Sequence, residues 1–159
     1  SFQGDTLYSV LTNSTPGCLG IAIDKQVLEV HANNQRYLGP KKLKETIKEL
    51  NSLGYGANAL IGDSKDPKII AKAKKLSPYD LLFIDGDHSY AGVKSDWDNY
   101  ASLAKVIVLH DVFQPMSSGM VCQFWQDLKS RCQFKETREI YTLGSQMGYG
   151  IAIKDALQI

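Results

Sequence analysis

A chain of 159 residues has the length of one domain, with enough interior to build a core without disulfide or metal staples. Its 18 basic residues nearly balance 17 acidic ones, a formal charge of +1, which argues against a nucleic-acid or membrane surface as partner. No apolar stretch reaches the roughly 18 residues that span a bilayer, and the N-terminus shows no secretory pattern. Three cysteines, Cys18, Cys122 and Cys132, form an odd set without CxxC spacing, as in a reducing compartment. The expectation is a soluble, cytoplasmic protein folded as a single domain over residues 1–159.

In chain order, a polar turn from Ser1 to Thr6 containing Gly4 feeds a short helix marked by Leu7, Tyr8, Val10 and Leu11. Cys18 to Asp24 reads as a buried strand ending in an acid, and Asp24 can equally serve as the N-cap of a helix over Lys25 to His31. After the Gly39-Pro40 pair, Leu43, Ile47, Leu50 and Leu53 recur at helical spacing up to Gly54. Ala57 to Ile61 is a short strand leaving through Gly62-Asp63-Ser64, and Pro67 opens a helix running to Leu76.

Leu81-Leu-Phe-Ile84 is too short for a buried helix and suits a strand covered on both faces. It runs into Asp85-Gly-Asp87-His88-Ser-Tyr90, two carboxylates and an imidazole at the carboxyl end of a strand, where open α/β sheets place ligands. The plainer reading of this stretch is a solvated loop in which Asp87 or Ser89 caps the next helix. Val93, Trp97, Tyr100 and Leu103 mark that helix, from about Tyr90 to Leu103, with its apolar face toward the sheet. Lys105 to Leu109 is the next buried strand, and it too ends in ionisable residues, His110 and Asp111.

A loop from Phe113 to Gly119 precedes a helix around Val121 to Lys129, with Phe124, Trp125 and Leu128 on one side. Phe134 to Tyr141 and Tyr149 to Ile153 are strands joined closely enough to form an antiparallel hairpin. Strands alternating with helices define an α/β fold with a mostly parallel sheet and an antiparallel C-terminal hairpin strand.

If the strands ending at Ile84 and Leu109 are parallel neighbours, Asp85, Asp87, His88, His110 and Asp111 converge on one rim of the sheet. Asp85 and Asp111 can then supply carboxylate oxygens to a hard divalent cation such as Mg2+. An imidazole beside them suits a general base near neutral pH, and His88 is the candidate because Gly86 frees its loop. His110, at the very end of its strand, reads as a packed or hydrogen-bonded residue, and His31 as structural.

Phe83-Ile-Asp-Gly-Asp-His-Ser-Tyr90, Val93-Lys-x-Asp96 and Val108-Leu-His-Asp-Val112 together resemble the class I S-adenosylmethionine-dependent methyltransferases, in particular the branch of small-molecule and sugar O-methyltransferases. The resemblance extends from Gly4 to Ile153 and is strongest from Asp80 to Val112. It implies a Rossmann-like methyltransferase sandwich with seven strands in the order 3-2-1-4-5-7-6, strand 7 antiparallel. The first of these would precede Ser1, so this chain is expected to lack it.

The resemblance further implies S-adenosylmethionine as cofactor and a small-molecule substrate, with a homo-oligomer as an open arrangement. Gly4 would lie in the loop near the methionine part, Asp24 would accept from the ribose hydroxyls, and Asp63 with Ser64 would lie near the adenine. Asp85 would face both cofactor and reacting centre, with Asp111 as a second metal ligand and His88 in the place of the base. The loop Phe113 to Met120 and the residues around Trp125 would wall the acceptor pocket. Val112 stands where catechol-type members usually carry a coordinating Asn.

Two other functions share these residues. Asp85-Gly-Asp87 after an apolar strand also fits the DxD motif of metal-dependent nucleotide-sugar glycosyltransferases, and a non-catalytic methyltransferase-like binding domain would retain the fold alone.

Overall fold

The computed structural model describes residues 4–25, 39–113, 120–132, 134–141 and 148–155, which form two compact units, Ser1–Ile69 and Ile70–Ile159. The possible helix over Lys25 to His31, most of the Phe113 to Gly119 loop and the Gly144 turn lie outside the described residues.

In the first unit, α1 (Asp5–Thr12), β1 (Leu19–Asp24), α2 (Gly39–Ser52) and β2 (Gly56–Ile61) follow one another. β1 and β2 pair in parallel, with Leu19 opposite Gly56 and Asp24 opposite Ile61. Leu11, Leu50 and Ala57 are the centre of the core, and Leu7, Tyr8, Cys18, Ile47 and Tyr55 pack around them. Leu7 and Leu11 on α1 and Ile47 and Leu50 on α2 are apolar positions at helical spacing, so one stripe of each helix faces this core. Asn51 ties α2 to β2 by accepting from the Ala57 amide at 2.8 Å and donating to its carbonyl at 3.1 Å.

A helix α3 (Pro67–Leu76) begins at the end of the first unit and runs into the second. The second unit continues with β3 (Tyr79–Ile84), α4 (Tyr90–Tyr100), a 3-10 turn (Ala101–Leu103), β4 (Ala104–His110), α5 (Val121–Arg131), β5 (Glu136–Tyr141) and β6 (Gly148–Ile153). Its sheet has the order β3-β4-β6-β5. β3 and β4 are parallel, whereas β6 runs antiparallel to both β4 and β5. The α/β fold with an antiparallel closing hairpin is therefore as expected. The neighbours β2-β1 and β3-β4-β6-β5 reproduce the 3-2 and 4-5-7-6 stretches of the expected order.

α4 and α5 cover one face of this sheet, where Ile107, Leu109 and Ala152 meet Val93, Phe124, Trp125 and Leu128. Trp125 is fully buried, and its indole lies so close to Gly150 that a Cβ there would come within 2.7 Å of the ring. Trp125 Nε1 donates to Glu139 Oε1 at 2.7 Å, which satisfies its polar edge. An indole sealed in this way belongs to the core, as its place on the apolar side of the helix implies. β3 also differs from expectation: Leu81 is 41% exposed, because among the described strands β3 has one neighbour, β4, and is not covered on both faces along its length. Among the described residues no helix is long and apolar enough to cross a membrane.

Candidate functional site

The register of β3 and β4 places Ile84 opposite Leu109, so Asp85 and His110 leave the same rim of two adjacent parallel strands. Beyond Asp85 the backbone turns through Gly86, and the loop is fixed by its own side chains. Asp87 Oδ1 accepts from the Ser89 amide at 3.0 Å, and Ser89 Oγ, the N-cap of α4, accepts from the Gly92 amide at 3.0 Å. The plain capping reading of Ser89 is thus correct, and it coexists with a site. A second tie comes from the Met120 amide, which donates to the His88 carbonyl at 2.9 Å.

Held this way, His88 reaches both strands' carboxylates. Its Nε2 lies 3.3 Å from Asp85 Oδ1 and its Nδ1 lies 3.3 Å from Asp111 Oδ2. His110 completes the cluster, with Nδ1 3.4 Å from Asp85 Oδ1 and 3.0 Å from Asp111 Oδ1. The His110 ring packs on Tyr149, its cross-strand partner on β6, at a centroid distance of 5.0 Å, and on Phe83 at 6.3 Å.

Asp111 is the deepest member, with its side chain 4% exposed, against 38% for His88. It is also the one non-glycine residue at positive φ among those described, at 63°. That left-handed turn, disfavoured for a residue with a Cβ, is a form of strain that concentrates at functional sites. Asp111 Oδ1 and His110 Nδ1, both buried, lie 3.0 Å apart in a geometry that falls short of an aligned hydrogen bond, and His110 Nδ1 also lies 3.4 Å from Asp85 Oδ1.

The charges act on one another. Burial works against ionisation of Asp85, but hydrogen bonds from His110 and His88 and the positive charge of both rings outweigh it and hold the carboxyl well below the usual range. His88 is raised above its ordinary value chiefly by its hydrogen bond to Asp85, with burial opposing and Asp111 assisting. His110 is raised in the same way, first by Asp85.

Of the residues expected at this rim, the structure brings together Asp85, His88, His110 and Asp111. Asp87 is not among them, since its carboxylate serves the Ser89 turn and lies against Gly92. The part of His110 as a contact of both carboxylates was not evident from the sequence. The signal was available in the tandem His110-Asp111 at a strand end, but the choice between packing and participation depends on β6 supplying Tyr149 as its stacking face.

The other predicted residues belong to the first unit. Asp24 ends β1, and its carbonyl accepts from the Gly62 amide at 3.0 Å, so Asp24 and Asp63 leave one carboxyl rim of the β1–β2 pair. Asp63 Oδ1 accepts from the Lys65 amide at 2.8 Å, and Ser64 lies within that turn. Gly4 is buried at the N-terminus of α1 with φ of 85°, packed against Leu43 and Thr46.

No protein-family model matches the chain, and no curated protein matches it. Among solved structures it is similar to M. capricolum TrmK in complex with the natural cofactor product S-adenosyl-homocysteine. That similarity covers 95% of this chain and 69% of the other at 12% identity, with a TM-score of 0.50. With the strand order above, it establishes a Rossmann-like methyltransferase fold.

The donor chemistry of the two rims can be tested against the groups this fold implies. The two carboxylates at the β1–β2 rim are acceptors of the kind that suits the hydroxyl and amine donors of a nucleoside. Mg2+ fits poorly at the β3–β4 rim. It demands octahedral oxygen coordination, whereas here an imidazole stands between the carboxylates and the following residue, Val112, is an apolar side chain 1% exposed.

Proposed function

We propose that this protein is an S-adenosylmethionine-dependent methyltransferase that methylates a hydroxyl group of a small molecule or sugar. The observation that carries the reading is the His88 imidazole held between Asp85 and Asp111 at the carboxyl rim of β3 and β4, in a Rossmann-like methyltransferase fold. Bound S-adenosylmethionine supplies an electrophilic sulfonium methyl whose leaving group is a neutral thioether.

The chain's residues then have distinct tasks. Asp24 accepts from the ribose hydroxyls, Asp63 and Ser64 flank the adenine, and Gly4 belongs to the segment serving the methionine part. His88 takes the proton of the acceptor hydroxyl as the new C–O bond forms and the C–S bond breaks, the electron pair staying on sulfur. His88 Nε2 hydrogen-bonds Asp85 at 3.3 Å and its Nδ1 lies 3.3 Å from buried Asp111, so the two carboxylates hold the ring from both sides. Asp85 stabilises the imidazolium produced and so raises the basicity of the ring. Alignment of hydroxyl and methyl contributes the rest.

The nucleotide-sugar glycosyltransferase reading is weaker, because Asp87 Oδ1 is engaged in the Ser89 turn and the carboxylate that meets Asp85 and His88 in the cluster is Asp111. The decisive experiment is calorimetry with S-adenosylhomocysteine on wild type and Asp24→Ala, followed by transfer of labelled methyl to a panel of hydroxyl compounds. Binding by wild type that falls at least roughly tenfold in the variant, the worth of a hydrogen bond to a charged group, supports the assignment. Equal binding by the two, or none by wild type, counts against it.

A further inference from the structure

We infer that β5 pairs edge to edge with β5 of a second copy of this chain, antiparallel about a two-fold axis through Thr137, so that two four-stranded sheets join into one. β5 is the last strand in the order β3-β4-β6-β5, and among the described strands its far side has no neighbour. All six of its residues are exposed, with Ile140 at 51% and Tyr141 at 56%. The backbone groups turned away from β6 form a row of donors and acceptors that another extended chain can continue.

The side chains of the strand say which chain that is. Two identical antiparallel strands related by a two-fold axis perpendicular to their sheet have the axis at a residue, because side chains alternate between faces and opposite ones share a face. With the axis at Thr137, Glu136 of each copy stands opposite Arg138 of the other, Thr137 stands opposite itself, and Lys135 falls opposite Glu139. Moving the axis by one residue brings Glu136 against Glu136 or Arg138 against Arg138, and placing it at Glu139 brings Glu139 against Glu139. Opposite charges across a strand pair stabilise it and like charges directly opposite destabilise it, so the pattern selects one register. An edge guarded against pairing carries lysines or a proline, whereas this one is complementary to its own copy. Glu136 Oε1 already meets Arg138 Nε at 2.5 Å, and Glu139 Oε1 meets Lys129 Nζ at 2.5 Å, so each carboxylate is held on the strand and gains a second cation from the other copy. The contact uses the same surface on both copies and closes at two.

Analytical ultracentrifugation of the whole chain, from low to high micromolar concentration, should show a reversible equilibrium between monomer and dimer. Glu136→Arg and Arg138→Glu each set like charges opposite one another twice and should weaken the dimer at least roughly tenfold. The double reversal restores both opposite-charge pairs and should return dimerisation to within about threefold of wild type. Hydrogen exchange of the β5 amides should slow as the wild-type concentration rises, and circular dichroism verifies that every variant folds. A monomer at all concentrations, a dimer indifferent to the single reversals, β5 exchange that ignores concentration, or no recovery in the folded double variant overturns the inference. The measurement uses no S-adenosylmethionine, so its failure leaves the Asp24 calorimetry standing, and the reverse also holds.

Discussion

His88 Nδ1 lies 3.3 Å from Asp111 Oδ2, a contact between the loop leaving β3 and the turn leaving β4. It exists because the two strands are parallel neighbours in one register, with Phe83 opposite Val108 and Ile84 opposite Leu109. A shift of one residue would turn every side chain to the other face and separate the two groups. The partially exposed imidazole thus has a buried, geometrically fixed anion behind it, the usual arrangement for a side chain that must exchange a proton in a defined direction.

If His88 takes the acceptor proton, His88→Gln should lower the methyl-transfer rate by about 10²–10⁴, the usual worth of general base catalysis. Affinity for S-adenosylhomocysteine should stay within a factor of two or so, since the assigned nucleoside contacts belong to Asp24 and Asp63. Steady-state kinetics beside calorimetry separates the two effects. A parallel loss of rate and cofactor affinity would point to a positioning role instead.

In the absence of a bound cation, the same cluster should make stability depend on pH. His88 and His110 are raised above 6.5, so their contribution is complete below that value and is lost as pH rises through their folded-state values. Asp85 is lowered below 3.8, so its contribution is complete above that value and is lost as pH falls toward the depressed one. The contribution of the cluster is therefore greatest between these limits. Urea unfolding of chelator-treated protein should give a higher midpoint at pH 5.5 than at pH 8.5, and Asp85→Asn should flatten that difference. An equal pH response in the variant would exclude the cluster as its source.

The strands and most helices were legible because burial imposes periodicity. Leu43, Ile47 and Leu50 on α2, and Phe124, Trp125 and Leu128 on α5, are apolar at helical spacing because those stripes face a core. Asp85 and Asp111 were legible as a pair because each follows an apolar run directly. Three features depend on contacts that a single segment does not encode. Asp87 could belong to a DxD pair or to an Asx turn, and the amide of Ser89 decides it. His110 could pack or participate, and it does both because Tyr149 arrives from β6. Trp125 could wall a pocket or fill a core, and Gly150 opens the space that buries it.

Ser89→Ala should destabilise the protein by about 1 kcal/mol, the usual cost of removing an N-cap, because the Gly92 amide loses its acceptor. Ser89→Gly should cost only a few tenths of that, since glycine suits the cap backbone and admits water. Both effects should appear as a lower denaturant midpoint with unchanged slope. As His88 precedes the cap, the alanine variant should also lose methyl-transfer activity more than its stability loss alone explains. Wild-type stability in Ser89→Ala would mean that the cap hydrogen bond contributes nothing in solution.

The approach of Trp125 to β6 gives a sharper packing test. An added Cβ at Gly150 would lie 2.7 to 2.9 Å from three atoms of an indole that is fully buried and tethered through Nε1 to Glu139. Neither ring nor strand can yield easily, since Gly150 pairs with both Leu109 and Glu139. Overpacking of this kind costs about 1–3 kcal/mol, so Gly150→Ala should lower the unfolding free energy by that amount. Trp125→Ala removes the opposing ring at a cost of about 3–5 kcal/mol. In the double variant the new methyl group meets no indole, so the combined loss should fall short of the sum of the two single losses. Equilibrium urea unfolding of the four proteins measures this coupling, and strict additivity would mean that the glycine is not required by the tryptophan.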